Sequence, residues 1–79
     1  MKYTLKTFGI TREIMGGKEI AFEMEGKNVA ALRDELLSRF PEMKSLKSLL
    51  IAVNNAYAED ETVLAESDEI ALIPPVSGG

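Results

Sequence analysis

Asn28-Val29-Ala30-Ala31-Leu32-Arg33-Asp34-Glu35-Leu36-Leu37-Ser38-Arg39-Phe40-Pro41 is the stretch on which the fold turns. Val29, Leu32, Leu36 and Phe40 recur at intervals of three and four, which puts them on one face of a helix. Asn28 is a predicted N-cap, its side chain accepting an N–H from the first turn. Pro41 ends the helix, because the residue before a proline is pushed out of the α region. Arg33, Asp34 and Arg39 lie off the apolar stripe, and Glu35 and Arg39 form a favourable i,i+4 pair. One apolar stripe calls for one surface to cover it.

That surface is written on both sides of the helix. Residues 2–8 alternate, with Lys2, Thr4 and Lys6 on one parity and Tyr3, Leu5 and Thr7 on the other, as a half-buried strand does. Gly9 interrupts the run, residues 10–15 fit a turn or two of helix, and Gly16-Gly17 stop it. A second alternation sets Ile20, Phe22 and Met24 against Glu19, Ala21, Glu23 and Glu25, ending at Gly26-Lys27. Beyond the helix, residues 43–48 suggest a short helical turn and residues 49–53 an apolar strand. Asn54-Asn55 is a turn, since asparagine tolerates positive φ. Residues 62–64 read as a short edge strand, Glu66-Ser67-Asp68 as a turn, and residues 69–73 as the last strand. Pro74-Pro75 then forbid continuation. This order predicts an α+β chain with a ubiquitin-like β-grasp, a mixed sheet with one main helix packed across it. The domain is expected over 1–73 and an extended tail over 74–79. Val29, Leu32, Leu36 and Phe40 should face Leu5, Ile20, Phe22, Ile51, Ile70 and Leu72.

Composition narrows the function. Seventy-nine residues make one small domain, and 46% hydrophobic content suits a globular chain. With no cysteine and no histidine, disulfide scaffolds, zinc modules and cluster-bearing ferredoxins are excluded. Thirteen acidic against nine basic residues give a net charge of −4, which argues against a nucleic-acid partner. No apolar run approaches the ~20 residues of a membrane span. Met1-Lys2-Tyr3-Thr4 opens on a strand pattern without a signal peptide, so the expectation is a soluble cytoplasmic protein.

Chemistry is scarce within the domain. The usual nucleophile with an imidazole base is missing. Glu23/Glu25 and Glu59/Glu61 read as solvated surface charge, and a metal at Glu59-Asp60-Glu61 would need ligands gathered from elsewhere. Thr11 and Ser77 have no visible activating base. No catalytic residue and no metal ligand are expected. The terminus is different: Pro74 to Gly79 could reach about 20 Å at roughly 3.3 Å per residue. The two prolines stiffen its root, and Gly78-Gly79 could thread a channel too narrow for side chains. A flexible polar terminus and a presented carboxylate both fit this pattern. Phe8 shares the outward parity of the first strand and Ile73 that of the last. If those strands pair, the two make an outward apolar patch at the root of the tail, a docking surface.

On these residues the chain resembles the sulfur-carrier subunits of molybdopterin synthase, the MoaD-like family. The likeness is strongest over Asp68-Glu69-Ile70-Ala71-Leu72-Ile73-Pro74-Pro75-Val76-Ser77-Gly78-Gly79. Phe8-Gly9 with Arg12-Glu13-Ile14-Met15-Gly16, Asn28 to Arg33, and Ile51-Ala52-Val53-Asn54 support it. Ser67 departs from the glycine usual before the aspartate, which could strain or reshape that turn. The resemblance implies that Gly79 is adenylated by an ATP-dependent, ubiquitin-activating-like enzyme and converted to a thiocarboxylate by a sulfur donor. The large subunit of molybdopterin synthase would then accept the tail, with Pro74, Pro75, Val76, Ser77 and Gly78 threading its active site. There the sulfur passes to a pterin precursor. Phe8, Arg12 and Ile73 are implied partner contacts. No cofactor would be bound by this chain, since the ATP belongs to the activating enzyme.

The related carrier of thiamine biosynthesis shares the fold and the terminal diglycine, although Pro74-Pro75-Val76-Ser77 looks more like the molybdopterin branch. Carriers for tRNA thiolation and ubiquitin-like modifiers that form isopeptide bonds share the activation chemistry. A β-grasp interaction module with an idle terminus is the remaining alternative.

Overall fold

The fold follows from how the expected elements find partners, seen in a computed structural model that describes residues 1–46 and 49–74. In chain order they are β1 (Lys2–Thr7), α1 (Ile10–Met15), β2 (Glu19–Glu23), α2 (Val29–Arg39), a 3-10 segment (Pro41–Ser45), β3 (Leu50–Val53), β4 (Ala56–Tyr57) and β5 (Glu69–Ile73). The strands form one five-stranded sheet in the order β2-β1-β5-β3-β4. β1 and β5 run parallel, with Thr4 opposite Glu69 and Thr7 opposite Leu72. The remaining pairs are antiparallel. The mixed sheet with one main helix across it is the expected β-grasp.

The α2 helix starts where the sequence indicates. Asn28 is extended, and its Oδ1 accepts the Ala31 N–H at 2.9 Å. Two more of the N–H groups left open at a helix start are met from the 60s loop. The Val29 N–H donates to the Thr62 carbonyl at 3.0 Å and the Ala30 N–H to the Asp60 carbonyl at 3.0 Å. Gly26 lies close under the same turn: a Cβ there would fall 2.3 Å from the Ala31 Cβ. Val29, Leu32 and Leu36 are fully buried and join Tyr3, Leu5, Phe22, Met24, Ile51, Ile70 and Leu72 in one core cluster. Tyr3 was not among the expected core residues. Its hydroxyl donates to the Gly26 carbonyl at 3.1 Å, so its burial leaves no polar group unmet. Met43, fully buried, is carried into the core by the 3-10 segment.

Two expectations need correcting. Residues 62–64 are not a sheet strand; Val63 makes a single bridge to Asn28, because this backbone is spent on the start of α2. The short strand is Ala56–Tyr57 instead. Asn54 (φ 53°) and Asn55 (φ 70°) form the two-residue turn that folds it back on β3, the geometry in which both central residues take positive φ. Ile20 is half-buried, since β2 is an edge strand and the Ile20 side chain lies over the Gly17 turn. Phe40, half-buried at the C-cap of α2, packs against the core cluster as expected. On the same edge, Arg39 covers Phe22, its guanidinium 4.4 Å from the ring centre, and donates to the Glu23 carbonyl at 2.6 Å. Among the described residues, no helix is long and apolar enough to cross a membrane.

Candidate functional site

The strand register builds a groove on the sheet face opposite α2. Residues opposite one another in a ladder point the same way. Leu50 pairs with Ile73 and Ala52 with Ala71 across β3 and β5, and Ala52 also pairs with Tyr57 across β3 and β4. The two alanines leave a shallow floor. Phe8, Ile73 and Tyr57 wall it, with Lys6, Glu69 and Asn55 at the rim. Phe8 is 45% exposed, Leu50 44% and Tyr57 70%, a concentration of large apolar side chains in water that an isolated outward residue does not produce.

Lys6 and Glu69 meet at 2.5 Å on this face. The hydrogen bond to Glu69, then its charge, raises the Lys6 pKa above the ordinary lysine value. Both side chains are well exposed, so the pair serves as a polar boundary rather than a strong tie. Asp68 anchors the turn beneath. It accepts the Ala65 N–H at 2.9 Å and an Asn54 side-chain N–H at 3.0 Å. These bonds, the backbone one first, hold its carboxyl below the ordinary aspartate value. Ser67 takes no positive φ, so the departure from glycine imposes no backbone strain there.

The expected contact residues fall at one end of this groove. Phe8 follows β1, Ile73 closes β5, and both line the groove. Arg12, exposed on α1, flanks an adjoining hollow shared with Phe8, Lys6 and Lys18. Ile73 is only half-buried from solvent, because Leu50 sits across from it on β3. Pro74 packs near Gly9 at the tail root. Pro75, Val76, Ser77, Gly78 and Gly79 lie outside the described residues, as does the Lys47–Ser48 end of the expected helical turn. Leu50 and Tyr57 were not singled out from the sequence. Leu50 shares the parity of Ala52 and could have been read as outward, whereas Tyr57 stood in a segment without alternation. Thr11 is fully buried with its hydroxyl bonded to backbone, which leaves it no role as a nucleophile. Glu23, Glu25, Glu59 and Glu61 are all exposed. Among the described residues, no group of three or more carboxylates is gathered for a metal ion.

Comparison with known proteins adds a second line of observation. Residues 5–79 match the ThiS family. A molybdopterin synthase sulfur carrier subunit of Arabidopsis thaliana is 34% identical over 91% of this chain and 77% of its own. Of solved structures, the small archaeal modifier protein 1 of Methanosarcina acetivorans superposes with a TM-score of 0.78 at 28% identity, covering 99% of this chain and 96% of its own. A complex of subunits 1 and 2 of the molybdopterin-converting factor from Helicobacter pylori contains a chain that matches over 100% of both lengths. Its TM-score is 0.65 and its identity 30%.

Proposed function

The chain belongs to the ThiS family, and on that premise we propose that it is a sulfur carrier of molybdopterin biosynthesis, the small subunit of molybdopterin synthase. The observation that carries this reading is the apolar groove of Phe8, Ile73 and Tyr57, in which Ile73 is the last residue before Pro74, where the tail begins. A docking surface beside the root of a glycine-ended tail suits delivery of a terminal group into a partner. The sulfur-carrier naming of the Arabidopsis relative supports the same role.

In this reading the domain of residues 1–73 docks and the tail of residues 74–79 reacts. A carboxylate is a poor electrophile, so Gly79 must first be activated. One of its oxygens attacks the α-phosphorus of ATP on an adenylating enzyme, and pyrophosphate leaves. Sulfur at the oxidation level of sulfide, from a sulfur donor, then attacks the acyl carbon and expels AMP, leaving a thiocarboxylate. The large subunit supplies the active site in which that sulfur passes to a pterin precursor. Pro74, Pro75, Val76, Ser77 and Gly78 thread that site, while Phe8, Arg12 and Ile73 make the docking contacts. The chain supplies the sulfur but no acid, base or metal of its own, binds no cofactor, and works in the cytoplasm.

The test is intact mass after incubation with ATP, an adenylating enzyme and a sulfur source. The expected result is a gain equal to exchange of one oxygen for one sulfur, lost when Gly79 is deleted. Deletion should leave Tm nearly unchanged, because the residue lies beyond the last strand. Normal pterin product from the deletion variant would overturn the reading. The likeness to a small archaeal modifier favours one second reading, a tail joined to lysines of target proteins. Heavier conjugates in cells that depend on Gly79 would identify it.

A further inference from the structure

We infer that Gly9 and Thr11 are positioning residues that aim the tail, fixing the direction in which the chain leaves β5 relative to the docking groove. This rests on the sulfur-carrier reading and adds to it the part of the fold that controls delivery.

The parallel ladder between β1 and β5 ends at Thr7 opposite Leu72. The next residues on each side are held by other means. Thr11 reaches back from α1 and is completely buried. Its hydroxyl accepts the Phe8 N–H at 2.9 Å and donates to the Phe8 carbonyl at 2.6 Å, with the Leu72 carbonyl 3.4 Å away. The Thr11 N–H donates to the Phe8 carbonyl as well, at 3.1 Å. One side chain thus joins the end of β1 to the end of β5.

Gly9 completes the bracket. Its backbone, at φ 57° and ψ −131°, takes a conformation that side-chain-bearing residues avoid. A Cβ built there would lie 3.2 Å from the Pro74 Cγ, so the proline ring rests against the bare face of the glycine. Proline has a fixed φ and offers no N–H. A residue with one rigid torsion is seated where an added Cβ would crowd it, beside a backbone turn that favours glycine, and the exit angle of the tail is set by that contact.

The consequence is one of leverage. Five residues beyond Pro74, drawn out in a partner channel, reach up to ~17 Å. A turn of roughly 10° at the root then moves the tip by about 3 Å, and misplacement by about 1 Å can lower a rate on the order of a hundredfold. The groove fixes where the partner sits; the bracket fixes where the tail points. Loss of the bracket should therefore lower kcat more than it raises KM, with a larger KM effect for Thr11, whose hydroxyl also holds the Phe8 backbone of the docking groove.

The experiment uses the full chain with Gly9→Ala, Thr11→Val and Thr11→Ser, measuring pyrophosphate release by the adenylating enzyme with Tm alongside. For Gly9→Ala, kcat should fall by about tenfold or more with KM within about threefold. Thr11→Val should show the same fall in kcat with a larger rise in KM, because it also frees the Phe8 backbone. Thr11→Ser, which keeps the hydroxyl, should retain most of the rate. Unchanged kcat in both variants, or a loss confined to KM, overturns the assignment. NMR tests the bracket without any enzyme. The wild-type chain should show nuclear Overhauser contacts between Gly9 and the Pro74 ring. Thr11→Val should lose them while keeping those among Leu5, Leu36 and Leu72, and their persistence overturns the assignment. A wild-type chain that is never adenylated refutes the carrier reading instead, and the NMR result then decides the bracket separately.

Discussion

Phe8→Asp separates docking from folding. Phe8 is 45% exposed in the free chain. A phenylalanine can bury about 150–250 Å², so a partner pocket could remove about 70–110 Å² more from water. At roughly 25 cal/mol per Å² that area is worth about 1.8–2.8 kcal/mol, or about 20- to 100-fold in affinity. Aspartate forfeits this gain and adds a charge whose desolvation opposes docking. The folded chain loses much less. The Phe8 backbone is held by Thr11 whatever the side chain, and only part of the ring is covered. A cost of about 1 kcal/mol, or about 4–8 °C in Tm, is expected. Titration calorimetry against the large synthase subunit, with thermal melting of the isolated chain, measures both numbers. Unchanged affinity would remove Phe8 from the interface. A chain that no longer folds would put Phe8 in the core and break the reasoning from strand parity.

Three other perturbations test the scaffold and its turns. Leu36→Ala, at the fully buried centre of the α2 stripe, should cost about 2–5 kcal/mol by urea denaturation; a cost under about 1 kcal/mol would mean that the helix does not pack as described. Gly26→Ala would set a methyl 2.3 Å from the Ala31 Cβ and should cost about 1–3 kcal/mol, whereas equal stability would show that the loop before α2 can yield freely. Asp68→Asn should be less stable than wild type at neutral pH. Hydrogen bonds lower the folded-state pKa of Asp68, so its contribution is present above the unfolded carboxylate pKa of about 4 and is lost as pH falls through the folded value. The gap between wild type and variant should close on acidification. A gap constant between neutral pH and strongly acid solution would remove the ionised carboxylate from the account.

Legibility followed how locally each feature was determined. The α2 stripe, its Asn28 cap and the β5 strand could be read because period and capping chemistry lie within a few residues. The pairing of β1 with β5 spans more than sixty positions, and parity could only prepare for it. Residues 62–64 looked like a strand because Thr-Val-Leu has the right composition. Their carbonyls and N–H groups in fact serve the start of α2 and its flank, a tertiary use that composition does not display. β4 went unseen for the opposite reason: two exposed residues carry no alternation, and only the paired positive-φ asparagines before them signal the return. Phe8 and Ile73 were legible as outward residues, but the groove between them was not. It depends on Ala52 and Ala71 being small at facing positions of two strands.

The parallel central pair ties the groove to the tail. Two parallel strands finish at the same end of a sheet, so the residues after Thr7 and those after Leu72 emerge side by side. Phe8 and Ile73 are neighbours for that reason, and Gly9 meets Pro74 for the same one. Had the first and last strands run antiparallel, the Phe8 loop would lie at the far end of the sheet from the tail. A partner gripping Phe8 would then have no fixed relation to the carboxylate it must receive. With the parallel pair, a contact made at the groove is also a measurement of distance to the tail root, taken across two residues of backbone and one buried threonine.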